Sequence, residues 1–172
     1  MRPYFKSDSI SAHVTRITGV TQELMYLVVG EKKAVLIDTG IGVGDLNAYV
    51  KTLTDKPIVV ILTHGHFDHV GGTPFFTQAH LNEKDWDFAV QDNTMKNKLD
   101  YLSIFHLDSI PEKEMAPIKA MDYLPLNHGD RFDLGGVTLE MIELPGPTPG
   151  SMTVLIQEVR SILFGVAWYR FS

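Results

Sequence analysis

Apolar and polar residues alternate from Ile10 to Thr18, then give way to two apolar, β-branched runs, Glu23 to Val29 and Lys33 to Ile37, broken at Gly30. Period-two alternation followed by short apolar runs predicts three strands in an antiparallel meander. The third run closes on Ile37-Asp38-Thr39-Gly40, and glycines at 40, 42 and 44 permit an irregular loop after it. Asp45 is of a type that caps helices, and Leu46, Tyr49, Val50 and Leu53 then recur at helical spacing. Pro57 precedes a fully apolar strand, Ile58 to Leu62, completing a strand, helix, strand unit.

Residues 63 to 72 are polar and glycine-containing, and a short helical turn and a strand near Thr77 to His80 are expected after them. Helix formers run from Asn82 to about Phe105, predicting one long or broken helix with Asn93 and Asn97 as its weak points. Trp86, Phe88, Tyr101 and Phe105 lie on it at partly helical spacing, which reads as core packing. Beyond Pro111 and Pro117 strands return at Val137 to Leu144, Met152 to Gln157 and Ser161 to Phe164, the first preceded by a Gly135-Gly136 turn. No internal repeat or low-complexity linker interrupts this order.

Composition narrows the chemistry. A chain of 172 residues that is 44% hydrophobic can bury a sizeable core, so one globular unit over residues 1–172 is expected. A formal net charge of -6 offers no basic surface for phosphates, so no nucleic-acid partner is expected. No apolar run has the length of a signal peptide core or a membrane span, so a cytoplasmic location away from membranes is the expectation. With no cysteine, any metal would be held by His, Asp or Glu.

Such residues concentrate in Thr63-His64-Gly65-His66-Phe67-Asp68-His69-Val70-Gly71-Gly72. In an extended stretch His64, His66 and Asp68 point one way, and His69 can swing in where the chain turns at Gly71-Gly72. Imidazoles and a carboxylate are donors that zinc and similar divalent ions accept, and Gly65 and Gly72 would leave their approach open. An ordinary polar loop is the bland alternative, but composition alone yields this pattern with a chance of only roughly one in a thousand. The isolated His13, His80, His106 and His128 are expected to be packed or solvated instead. Asp38, at a strand end, is expected to accept loop amides and steady the metal loop.

The loop resembles that of the metallo-β-lactamase superfamily. Ile37-Asp38-Thr39-Gly40, Leu134-Gly135-Gly136-Val137 and Pro145 to Ser151 resemble further family segments in the same order, so the likeness spans about residues 10 to 166. It implies an α/β fold, an αββα sandwich with a metal site at one edge. The implied reaction is hydrolysis of a small-molecule ester, lactone, thioester, amide or phosphodiester by metal-activated water. His64 and His66 match ligands of a first metal, and Asp68 and His69 match ligands of a second. Asp68 would also orient or deprotonate the water.

Two positions depart from the family. Pro147 stands where a third histidine is expected, and Val166 where an aspartate would bridge two metals. Without that anion, two close cations repel one another, so at most one ion is expected, zinc first, with iron or manganese admitted by the same donors. The resemblance further implies a second half that this chain carries only in part, cut off after about residue 166. Strand edges would be left bare, and the apolar tail from Trp168 to Phe171 would add exposed surface, for which a fragment, a frameshifted copy or a homo-oligomer covering the edges would each account. Three classes follow: a metal-dependent hydrolase; a catalytically impaired metal-binding relative or fragment; and a di-iron oxidoreductase. The last ranks lowest because that branch has Glu where this chain has His66.

Overall fold

The computed structural model describes residues 4–144, 146–158, 161–164 and 167–170. Seven strands form one sheet in sequence order: β1 (Lys6–Ser9), β2 (Val14–Thr18), β3 (Leu24–Val29), β4 (Ala34–Ile37), β5 (Ile58–Ile61), β6 (His80–Leu81) and β7 (Leu124–Pro125). The strands from β1 to β4 pair antiparallel and those from β4 to β7 parallel. A second, antiparallel sheet holds β8 (Arg131–Asp133), β9 (Thr138–Glu143), β10 (Met152–Ile156), β11 (Ser161–Phe164) and β12 (Ala167–Arg170).

Alternate residues of the central strands enter different cores, as strands buried on both faces must. Tyr26, Val28, Val35, Ile37 and Ile61 face the second sheet and pack with Leu139, Met141, Val154, Ile156 and Leu163. Their neighbours Met25, Leu27, Ala34, Leu36 and Val60 face the other way, against Leu46 and Val50 of α1 (Leu46–Leu53) and Ala89 of α3 (Trp86–Asp92). A third cluster joins Ile41 and Val43 to Leu102 of α4 (Met95–Ile104), with Phe67 of the short α2 (Phe67–Val70) packed against it. The architecture is a mixed α/β sandwich of two sheets with few helices. Among the described residues, helical side chains enter only the clusters that exclude the second sheet.

The meander, the Asp45 cap, which accepts from the Ala48 amide at 2.9 Å, and β5 lie where the apolar pattern puts them. The chain departs from the pattern in three places. β1 is exposed and polar throughout and is held by its ladder to β2 and by the Arg16–Asp8 ion pair, so hydrophobic periodicity gives no sign of it. The long helix breaks because Asn93 leaves helical geometry at ψ 73 and Thr94 starts α4 by accepting from the Asn97 amide. The segment Ala167–Arg170 pairs with β11 as an edge strand that the apolar pattern does not mark; Phe171 and Val166 lie outside the described residues. Among the described residues no helix is long and apolar enough to cross a membrane.

Lys98 of α4 is fully buried and donates from Nζ to the Gly71 carbonyl at 2.9 Å. Burial pushes its ammonium down to about 8. The folded chain therefore binds fewer protons than the unfolded chain between about pH 8 and the ordinary lysine value of 10.5. Stability gains from this group as pH rises through that window, and the penalty is complete below it. Lys98→Met should abolish the gain, so the stability difference between Lys98→Met and the parent should shift by about 3 kcal/mol across the window. Urea unfolding of both proteins on either side of the window checks this.

Candidate metal centre

The site is built where β4 and β5, parallel neighbours, end side by side. Asp38, just past β4, adopts φ +63, a left-handed conformation that aspartate tolerates better than most residues. Its buried carboxylate accepts from the Thr63 amide at 2.7 Å, the Thr63 hydroxyl at 2.8 Å and His69 Nδ1 at 2.9 Å. These contacts fix ring protons. A carboxylate only accepts, so His69 carries its proton on Nδ1 and Thr63 spends its hydroxyl proton on Asp38. The 3.1 Å contact between Thr63 Oγ1 and His64 Nδ1 is therefore donated by the imidazole, which leaves Nε2 of His64 as the free acceptor.

Burial, then the neighbouring His69 charge, push His64 down to about 4, so the ring is neutral at ordinary pH, the form that ligates metal. Burial works in the same direction on His69, but the charge and hydrogen bond of Asp38 outweigh it and the pKa is raised.

The ring centroids of His64 and His69 are 4.0 Å apart and those of His64 and His66 4.9 Å. Asp68 Oδ2 lies 3.6 Å from His69 Nε2. His69 comes in by a route unlike the extended stretch expected from spacing. The chain becomes helical at Phe67, with the His69 and Val70 amides both bonded to the His66 carbonyl, and this turn delivers His69 before the glycines are reached. Those glycines make room for neighbouring backbone, where the pattern suggested an open approach for the ligands. A Cβ on Gly72 would stand 2.3 Å from the Thr39 carbonyl oxygen, and one on Gly65 would meet the Asp85 carbonyl oxygen at 3.1 Å.

Three carboxylates brace this loop, and two of them carry no sign in the spacing. Asp85 is fully buried and accepts from the Gly65 amide at 2.9 Å, the Gly150 amide at 2.9 Å and the Thr148 hydroxyl. Asp92 accepts from the Phe67 amide at 3.0 Å and so satisfies the first turn of α2. Phe88, expected in the core, instead sets its ring edge-on to His66 at 5.1 Å. Asp85 also ties the loop around Pro147 to Gly65. Pro147 itself is exposed and supplies no side-chain donor.

Among the described residues no three His, Asp or Glu side chains are arranged with their donor atoms as a metal cage. The polar atoms face one another instead, as Asp68 does His69. The donor set still fits a divalent ion in its chemistry: three imidazoles and a carboxylate within six residues, two of the imidazoles with their Nδ1 protons committed to neighbours. His13, His80 and His128 are occupied elsewhere, with ring nitrogens at 3.1 Å from the Val29 carbonyl, 3.2 Å from the Pro125 carbonyl and 3.2 Å from the Glu143 amide. His106 sits in a left-handed turn at φ 56.

The sequence pattern of the metallo-beta-lactamase superfamily matches residues 18–165. Probable metallo-hydrolase YqgX of Bacillus subtilis is 24% identical over 156 residues, covering 86% of this chain and 66% of that protein. Hydroxyacylglutathione hydrolase GloC of Haemophilus influenzae is 26% identical over 165 residues, covering 91% and 71%. Acyl-coenzyme A thioesterase MBLAC2 of Homo sapiens is 27% identical over 157 residues, covering 81% and 56%. The chain thus spans between about half and about seven-tenths of the length of these relatives. Among solved structures, a metallo-beta-lactamase from Pontibacter korlensis superposes with a TM-score of 0.68 at 20% identity, over 92% of this chain and 69% of that one.

Proposed function

The chain belongs to the metallo-beta-lactamase superfamily, and from that premise we propose that it is a metal-dependent hydrolase acting on a thioester. Proteins of this family commonly bind metal ions, zinc above all. The observation that carries the proposal is the pair of hydrogen-bonded imidazoles. Asp38 directly, and Thr63 in turn, hold the Nδ1 protons of His69 and His64, so that Nε2 of His64, and Nε2 of His69 once its ring is neutral, can serve as ligands. Thioesters are favoured among the carbonyl and phosphoryl substrates because two of the relatives above are named for thioester hydrolysis.

His64, His66 and His69 would hold the ion, with Asp68 completing the set. When bound, a divalent ion supplies Lewis acidity, lowering the pKa of water and polarising the bond to be cleaved. The protein groups do the rest. Asp68, half-exposed next to His69, can accept the proton that the attacking water loses and return it to the leaving thiolate. Asp38 keeps His69 in one tautomer, and Asp85 and Asp92 fix the loop backbone, so that little ordering remains to be done on binding.

Pro147 favours a second reading, a relative that binds metal weakly and turns over little. The two are separated by assaying a chromogenic acyl thioester beside lactone, lactam and phosphodiester substrates, before and after chelation, in the parent and in Pro147→His. Thioester turnover that is lost on chelation and restored by zinc is expected of the parent, with a gain in Pro147→His. Turnover indifferent to the chelator, or absent from both proteins, excludes the hydrolase reading.

A further inference from the structure

Among the described residues three that are not glycine adopt left-handed backbone: Asp38, which organises the metal loop, Gln22 at φ 68 and His106 at φ 56. The last two lie far apart in sequence yet line one cavity of about 520 Å³, set between β1, the turn from β2 to β3 and the segment that follows α4. No residue of the metal loop lines it. Gln22 closes the hairpin, its amide donating to the Gly19 carbonyl at 3.3 Å while the Gly19 amide donates to the Glu23 carbonyl at 2.9 Å. His106 ends α4, its amide donating to the Ser103 carbonyl at 3.0 Å while the Leu107 amide reaches back to the Leu102 carbonyl at 3.0 Å. Glycine meets both geometries with least strain. A glutamine and a histidine instead carry the strain, and each brings a side chain with N–H donors to the cavity wall.

We propose that this cavity is a binding site for a small monocarboxylate with an apolar body. The rest of its lining divides by chemistry. Val20, Leu107, Ile110 and the Tyr4 ring belong to the third apolar cluster and give the cavity an apolar side. Lys6 and Asp8 come from the exposed β1, and their charges differ in availability: Asp8 is paired with Arg16 at 2.9 Å, whereas Lys6 enters no ion pair among the described residues. Asp108, two residues beyond His106, is bonded to the Ser103 hydroxyl and does not line the cavity. One uncommitted cation calls for one negative charge. A carboxylate only accepts, which suits an ammonium, an amide N–H and an imidazole N–H, and its apolar body is left to Val20, Leu107 and Ile110. A dianionic phosphate would keep one charge uncompensated. Small-molecule sites commonly have volumes of about 300–1,000 Å³, so the space suits a molecule of this kind.

The test is calorimetric titration of the full chain with hexanoate, with hexanamide and n-hexylammonium as comparisons. Saturable binding of hexanoate is expected at about 1 mM, the range open to a ligand of this size, with both comparisons about tenfold weaker. Lys6→Gln should weaken hexanoate binding by about tenfold. The double variant Gln22→Gly, His106→Gly should weaken it by a similar factor, while unfolding at no lower urea concentration than the parent, because glycine relieves both left-handed positions. Lys6 is exposed on an exposed strand, so Lys6→Gln reports even if the double variant disturbs its turns. His66→Ala should leave the affinity unchanged, which separates this cavity from a carboxylate held at the metal centre. No saturation by about 20 mM, equal affinity for the amide or the ammonium, binding unaltered in Lys6→Gln, or binding lost in His66→Ala would overturn the proposal.

Discussion

Asp38→Ala is expected to destabilise the fold by about 3–5 kcal/mol, a large part of the roughly 5–15 kcal/mol available to a domain of this size. The substitution strands a buried amide, a buried hydroxyl and a buried ring N–H at once, because Thr63 and His69 have their protons aimed at this one carboxylate. Alanine also tolerates the left-handed backbone at φ +63 less well than aspartate does. An asparagine at this position would keep the backbone and one acceptor, so Asp38→Asn should lose less. Chemical denaturation of both variants gives the comparison. A loss below about 1 kcal/mol in Asp38→Ala would mean that the carboxylate does not organise the loop.

The second large effect is expected on turnover and not on folding. Asp68 is only half-buried, and its carboxylate makes no contact closer than the 3.6 Å approach to His69 Nε2 among those described. Asp68→Asn should therefore leave the unfolding transition within about 0.5 kcal/mol of the parent. If Asp68 takes and returns the proton in thioester hydrolysis, the same change should lower kcat by about 10² to 10⁴. Substrate binding should change much less, so the loss should fall on kcat and not on KM. Equal kcat in the two proteins would remove Asp68 from the reaction.

The parts of this fold that the sequence discloses are those where burial is two-sided or alternation is strict. Ala34 to Ile37 and Ile58 to Ile61 are apolar without interruption because successive residues enter opposite cores. The polar strand Lys6–Ser9 is specified by its neighbour, not by its own residues, and stays invisible to periodicity. The break at Asn93 shows only as weakened propensity, since what ends α3 is competition from Thr94 and Asn97 for the next helix start. In the site, four ligand-type residues stand out by spacing, but their path does not. An extended stretch that turns at Gly71-Gly72 and a helical turn at Phe67 would both bring His69 toward His64, and the helical turn is supported by Asp92, far along the chain, accepting from the Phe67 amide. Asp85 is hidden for the same reason: its partners Gly65, Thr148 and Gly150 lie 20 to 65 residues away. Pro147 is legible as a missing donor. The joining of its loop to the metal loop follows from the Asp85 tether and from the Met152 amide donating to the Thr63 carbonyl, both of them contacts between distant segments.

The central claim is that His64, His66, Asp68 and His69 serve one ion together. Calorimetric titration of the chain with zinc, repeated on His64→Ala and His66→Ala, tests it most directly. A single ion bound per chain at micromolar concentration, lost in both variants while their unfolding stays cooperative, is the predicted result. Absence of binding to the parent, or binding that survives removal of either imidazole, would contradict it.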